Sequence, residues 1–165
     1  MQNHNQQRIV LDEYFMQIAE TVSLRSTCLR HHFGAILVRD KRILSTGYNE
    51  NPSGLPHCFE LPEGCIRDSL KIASGNQLEI CTAVHAEANA LLQCAHHGVS
   101  SKGATLYVTG APCPLCARML INAGVKRVVY RENEYGDEGL KILKQAAIEC
   151  VSHPNDKEST PRQHT

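Results

Sequence analysis

The sequence predicts one α/β domain in which a mixed sheet of about five strands is covered on its faces by helices. Three observations carry this. Near the N-terminus apolar residues recur at three- and four-residue spacing, the period of a helix with one buried face. Two β-rich runs follow with only a short polar turn between them, which reads as an antiparallel hairpin. Beyond residue 84 helices and strands alternate, the order that places further strands under covering helices. A chain of 165 residues suffices for one compact domain and is too short for two ordinary ones.

Residues 1–8 are polar and residues 152–165 are rich in Pro, Asn, Ser and Thr, so both ends are expected to be mobile around a single domain over 9–151. From Leu11 to about Leu29, the residues Leu11, Tyr14, Phe15, Ile18, Ala19 and Val22 mark the apolar face of a first helix. Asp12 and Glu13 stand in its first turn, where the helix dipole favours them. Phe33 to Val38 and Ile43 to Tyr48 form the hairpin around Asp40-Lys41. Asn49 to Val84 has no sustained period and carries Pro52, Gly54, Pro56, Pro62, Gly64 and Gly75, a long irregular stretch that needs a function or an internal staple. A helix from His85 to about His96 ends at Gly98, followed by a strand over Thr105 to Thr109. A second such pair is the helix from Cys113 to about Asn122 and the strand over Lys126 to Tyr130. Asp137 to Ala147 has helical period, and Ile148 to Val151 reads as a short last strand.

Composition removes several classes of function. Lysine plus arginine number 17 and the acidic residues 17, so no excess positive charge draws the chain to nucleic acid, and the absence of Trp argues against a base-stacking platform. The first residues are polar and no run approaches the roughly eighteen apolar residues of a membrane helix, so a soluble cytoplasmic protein without membrane or nucleic-acid partners is expected. Eight cysteines in such a chain read as thiols or metal ligands. Cys94 and Cys150 sit in apolar settings and read as small buried hydrophobes.

The chemistry is concentrated between His85 and Cys116. His85-Ala86-Glu87 and Pro112-Cys113-Pro114-Leu115-Cys116 supply three metal-binding side chains, His85, Cys113 and Cys116, and one carboxylate, Glu87, that is spaced to stand beside a metal. Three protein ligands leave the fourth tetrahedral position of zinc open for a water, which is the catalytic arrangement; a structural site would be closed by a fourth ligand. The order His-x-Glu…Pro-Cys-x-x-Cys is the signature of zinc-dependent nucleobase deaminases. In that chemistry the metal activates water toward a carbon bearing an exocyclic amine, and Glu87 carries the protons to the ring nitrogen and the leaving ammonia.

The resemblance extends beyond the metal motifs. Arg25-Ser26-Thr27-Cys28, the run Gly34 to Leu44, Gly47-Tyr48-Asn49, Pro52-Ser53-Gly54-Leu55, His57-Cys58, Gly64-Cys65, His85 to Ala90 and Pro112 to Arg118 are similar to the deoxycytidylate (dCMP) deaminase family, including its late-competence-operon relatives, over about residues 9–150. That resemblance implies a three-layer α/β/α cytidine deaminase-like fold, zinc on His85, Cys113 and Cys116, and hydrolysis of dCMP to dUMP and ammonia with Glu87 as proton shuttle. It implies that Asn49 and Ala86 contact the substrate, that Arg25 and Ser26 lie near its phosphate, and that Tyr135 covers the sugar or phosphate. It also implies a homo-oligomer, often a hexamer.

Other readings stay open. Arg25 also fits as a helix-end residue and Asn49 as a turn residue. Cys28, Cys58, Cys65 and Cys81 resemble cysteines of bacterial family members and would fit a second, structural zinc that staples the irregular stretch, or would be buried free thiols. Glu50 stands where the family usually has Gly, and Gln93 and His96 where regulated members carry an aromatic residue and an Arg. A second carboxylate there repels a triphosphate, so dCTP activation and dTTP inhibition are not expected. The alternatives in function are another cytosine nucleotide or nucleoside as substrate (dCTP, CMP, cytidine) and a non-catalytic zinc-binding module.

Overall fold

The computed structural model describes residues 8–132 and 136–154. Five strands form a single sheet in the order β2-β1-β3-β4-β5. Strand β1 (Gly34–Arg39) runs antiparallel both to β2 (Arg42–Tyr48) and to β3 (Thr105–Val108), whereas β3, β4 (Arg127–Arg131) and β5 (Glu149–His153) are parallel. The hairpin closes through Asp40 and Lys41, both at positive φ (51° and 60°), the conformation of a two-residue turn whose twist matches the flanking strands.

β1 is buried along almost its whole length because both its faces are covered. Ile36 and Val38 point into a cluster with Phe15, Met16 and Ala19 of helix α1 (Leu11–Ser23). Ala35 and Leu37 point the other way, into the larger cluster formed with α3 (Ala86–His96), α4 (Pro114–Asn122) and α5 (Glu138–Gln145). Helices on both faces of one mixed sheet give three layers, as expected.

Two boundaries move. The first helix stops at Ser23 rather than near Leu29: the backbone amides of Leu24, Arg25 and Ser26 bond to carbonyls three residues back, and Leu24 and Leu29 are exposed, so the apolar face ends at Val22. The last strand continues to His153, two residues past its expected end and into the expected tail, because Ser152 and His153 pair with Tyr130 and Arg131. Cys150 is only half-buried. The segment between β2 and α3 contains α2 (Ile66–Ser69) and two single 3₁₀ turns, Cys58–Glu60 and Leu78–Ile80. Residues 1–7 and 155–165, most of the two expected tails, lie outside the described residues.

α1 is fixed to the sheet by charge as well as by burial. Arg127 of β4 donates to both carboxylate oxygens of Asp12, at 2.9 and 2.8 Å, and the Tyr107 hydroxyl donates to Asp12 at 2.7 Å. The guanidinium holds the Asp12 carboxyl below its ordinary range. No helix among the described residues is long and apolar enough to cross a membrane.

Candidate metal centre and active site

The two metal motifs meet because each ends at the start of a helix on the same face of the sheet. His85 is the N-cap of α3 and Cys113 the N-cap of α4, with Pro114 at the first helical position, where its missing N–H costs nothing. Cys113 thus precedes its helix, and the Cys116 backbone N–H, at 3.5 Å, points to its sulfur.

α3 is held tightly to the hairpin. A Cβ on Gly47 would overlap the Ala86 carbonyl and the Ala90 amide, so only glycine allows this approach. Ser45 Oγ donates to the Ala90 carbonyl at 2.8 Å, and Asn89 Nδ2 to the Tyr48 carbonyl at 2.7 Å. On the other side α5 packs its Gly139 against the Pro112 carbonyl so closely that any side chain there would displace the loop carrying Cys113.

His85 Nδ1 lies 3.5 Å from Cys113 Sγ and 3.5 Å from Cys116 Sγ. A tetrahedral zinc with ordinary Zn–N and Zn–S bonds requires an N···S separation of about 3.6 Å, so these residues fit the ion without rearrangement. Among the described residues this is the one group of three such side chains whose ligand atoms all fall within 4.8 Å of one another. Without a cation the two thiols share a proton: hydrogen bonds from Cys116 and His85 hold Cys113 down at about 4, and the Cys113 thiolate and burial push Cys116 up. The Cys113 thiolate also raises the His85 imidazole. A divalent cation replaces that shared proton and leaves all three as ligands.

Glu87, in the first turn of α3, is 6% exposed. Burial raises its carboxyl; the nearby His85 and its own backbone N–H oppose the shift. It lines, with His85 and Cys113, a cavity of about 470 Å³ that Asn49, Arg30 and Arg67 also line. That volume is of the size that takes a small-molecule ligand.

Asn49 is nearly fully buried. Its Oδ1 accepts from the Phe33 amide at 2.8 Å and lies 2.7 Å from Ser26 Oγ, while Nδ2 donates to the His31 carbonyl at 2.8 Å. One Nδ2 hydrogen is left over. Ala86 is fully buried at the start of α3. Ser26 and Arg25 line a neighbouring depression of about 410 Å³ with Leu29, His57 and Phe59; Cys28 lines both it and the main cavity, and Ser26 reaches the main cavity's lining through Asn49 and the Cys28 amide, at 2.7 and 3.3 Å. Tyr135 lies outside the described residues. Cys28, Cys58, Cys65 and Cys81 all line the main cavity, and Cys58 is raised by burial and then by the other three thiols, yet no three of their sulfurs gather as tightly as the His85 group. The backbone of Glu50 pairs with Val84, at 3.2 and 2.8 Å, which closes the two ends of the irregular segment on each other just before His85.

Sequence reasoning passed over Arg30 and Arg67. Both belong to stretches without helical or strand period, so no pattern marked the face they present.

Residues 10–132 match the family model of the cytidine and deoxycytidylate deaminase zinc-binding region. The chain is 42% identical over 127 residues to the ComE operon protein 2 of Bacillus subtilis, covering 77% of this chain and 62% of that protein, less than two thirds of its length. It is 43% identical over 122 residues to the deoxycytidylate deaminase of Mycobacterium phage D29, covering 72% of this chain and 92% of that one. The crystal structure of dCMP deaminase from the cyanophage S-TIM5 in complex with dCMP and dUMP superposes with a TM-score of 0.72 at 36% identity, over 87% of this chain and 96% of that one. With the fold and the ligand triangle in agreement, the chain belongs to the cytidine and deoxycytidylate deaminase zinc-binding family.

Proposed function

We propose that the protein converts dCMP to dUMP and ammonia by zinc-dependent hydrolysis. The observation that carries this reading is the open triangle of His85, Cys113 and Cys116 with the buried Glu87 beside it in one cavity. Zinc, when held there, supplies Lewis-acid activation of a water molecule. Glu87 performs the proton transfers: its carboxylate takes one proton from the attacking water and passes it to the ring nitrogen next to C4, then takes the proton left on the new C4 hydroxyl and delivers it to the amine as the C4–N bond breaks. Burial raises the Glu87 carboxyl, which makes its carboxylate a stronger base toward the water than an exposed one while the protonated form still donates to the ring nitrogen and the amine. Asn49, with one free amide hydrogen in the cavity wall, is the candidate contact to the sugar, and Ala86 is carried as a substrate contact by the family resemblance alone.

The remaining contacts belong to the same proposal. Tyr135 follows from the family resemblance; Arg25 and Ser26, which that resemblance sets near the phosphate, line the neighbouring depression and are the alternative to a phosphate site in the main cavity. A cytoplasmic homo-oligomer fits Leu92, Leu115 and Met119, which expose apolar surface on the outer faces of α3 and α4. A second zinc on Cys28, Cys58, Cys65 and Cys81 is supported by their shared cavity; metal analysis giving one zinc per chain in fully active enzyme would exclude it.

The decisive experiment is ammonia release by the zinc-loaded protein from dCMP, dCTP, CMP and deoxycytidine. A kcat/KM highest for dCMP supports the reading. Preference for another member of the panel reassigns the substrate, and no turnover of any of them with a full zinc site leaves the protein a zinc-binding module.

A further inference from the structure

Arg67 is a buried cation that the metal chemistry leaves without a purpose. It belongs to α2 in the irregular segment, lines the cavity that holds His85 and Glu87, and is 7% exposed. Its Nη2 donates to the backbone carbonyls of Ala73 at 3.0 Å and Asn76 at 2.7 Å. Its Nε is buried and has no partner, and Nη1 makes no hydrogen bond to any described residue. Among the described residues no carboxylate pairs with it.

The neighbouring arginine is different. Arg30 lines the same cavity, but its guanidinium is occupied by Asp68 at 3.4 Å, the Ile72 carbonyl at 3.0 Å and Ser74 Oγ at 3.0 Å. Arg25 faces the other depression.

A guanidinium cannot shed its charge, and burying it without a counter-ion is costly unless an anion arrives to offset the cost. Phosphate is the anion whose oxygens such a planar donor group suits best. We propose that Arg67 binds the phosphate of the nucleotide substrate, through Nη1, and so makes the enzyme select a nucleoside monophosphate over the bare nucleoside. The two backbone carbonyls on Nη2 orient the group, and the lack of a carboxylate keeps its charge for the ligand. This rests on the deaminase reading above and adds the residue that senses the substrate's charge.

The test compares kcat/KM for dCMP and for deoxycytidine in zinc-loaded wild type and in Arg67→Gln. Loss of one charge-assisted hydrogen bond lowers the dCMP-to-deoxycytidine ratio roughly 10- to 100-fold, mainly through KM for dCMP. An unchanged ratio, whether both substrates suffer equally or neither does, overturns the proposal and leaves Arg67 a scaffold residue. If the variant does not fold, or if deoxycytidine turnover is too slow to measure, a crystal structure of the wild-type zinc enzyme with dUMP decides. A phosphate oxygen within hydrogen-bond distance of Arg67 supports the assignment, and a phosphate held elsewhere overturns it. Absence of turnover on every cytosine nucleotide would instead refute the deaminase reading, a result distinct from an unchanged ratio.

Discussion

Helices α3 and α4 bring the metal ligands to the cavity from a core of Ala86, Ala90, Ala117 and Leu120, all fully buried, whereas the segment from Asn49 to Val84 that faces them is secured mostly by hydrogen bonds. On the first wall, glycines at 47 and 139 let backbone pack against backbone, which leaves no slack in the positions of His85 and Cys113. On the second, Arg30 and Arg67 gather the carbonyls of Ile72, Ala73 and Asn76, and the Glu50–Val84 bridge closes the base. The difference separates two tasks. Proton transfer beside a metal tolerates little displacement, so its groups stand on packed helices. Recognition of a nucleotide's charged end needs only donors of the right sign, and a segment held by polar contacts can supply them.

The largest effects should come from the packed wall. Cys113→Ser or His85→Ala is expected to lose both zinc and ammonia release, measured by metal analysis beside the assay; zinc retained at full stoichiometry would show that another side chain completes the site. Glu87→Ala should keep its zinc and still lose activity by about 10²- to 10⁴-fold or more, the range typical of a removed proton carrier. Metal content and rate thus separate ligand from shuttle.

Packing comes next. Gly139→Ala forces a methyl against the Pro112 carbonyl and should lower stability by about 1–3 kcal/mol and loosen zinc binding with it, since Cys113 follows directly. Ser74→Ala, in the irregular segment, removes two exposed hydrogen bonds, to Arg30 and to His31, and should cost about 1–2 kcal/mol, with zinc content unchanged. Equal effects of the two on zinc affinity, in a chelator competition, would remove the distinction between the walls.

A control far from both walls is the Asp12–Arg127 pair. The Asp12 carboxyl is held below its ordinary value in the folded protein, so it contributes stability above the unfolded carboxyl value near 3.9, and that contribution fades as pH falls through and below this value toward the folded one. Asp12→Asn should therefore lower Tm at neutral pH, with the difference from wild type shrinking below about pH 4. A constant difference across that range would mean that the pair acts through shape alone. The smallest expected response is to triphosphates: with Glu50 in place of the family's Gly, dCMP saturation curves should be the same with and without dCTP or dTTP, and a sigmoidal-to-hyperbolic shift would show that this carboxylate does not exclude them.

Much of the architecture could be read from residue order because period and punctuation report local preferences. The hairpin around Asp40-Lys41 and the alternation from α3 to β5 follow from which residues are apolar and where turns are affordable, and the metal triangle follows from His85, Cys113 and Cys116 because helix N-caps project side chains in a known direction. The end of the first helix was misplaced by apolar residues, Leu24 and Leu29, that continue the composition of the helix but not its buried face.

Sequence alone thus determined the layered sheet and singled out His85, Cys113 and Cys116, which the fold brings together, and Glu87, which it buries in the same cavity. Tertiary structure decided which charges share the cavity with them. Arg25 stands in a motif and Arg67 does not, yet it is Arg67 that lines the cavity of Glu87, because a segment without period is placed by contacts distant in sequence. Whether a guanidinium is already paired, as in Arg30, or left with free donors, as in Arg67, is likewise fixed only when such a segment closes on itself.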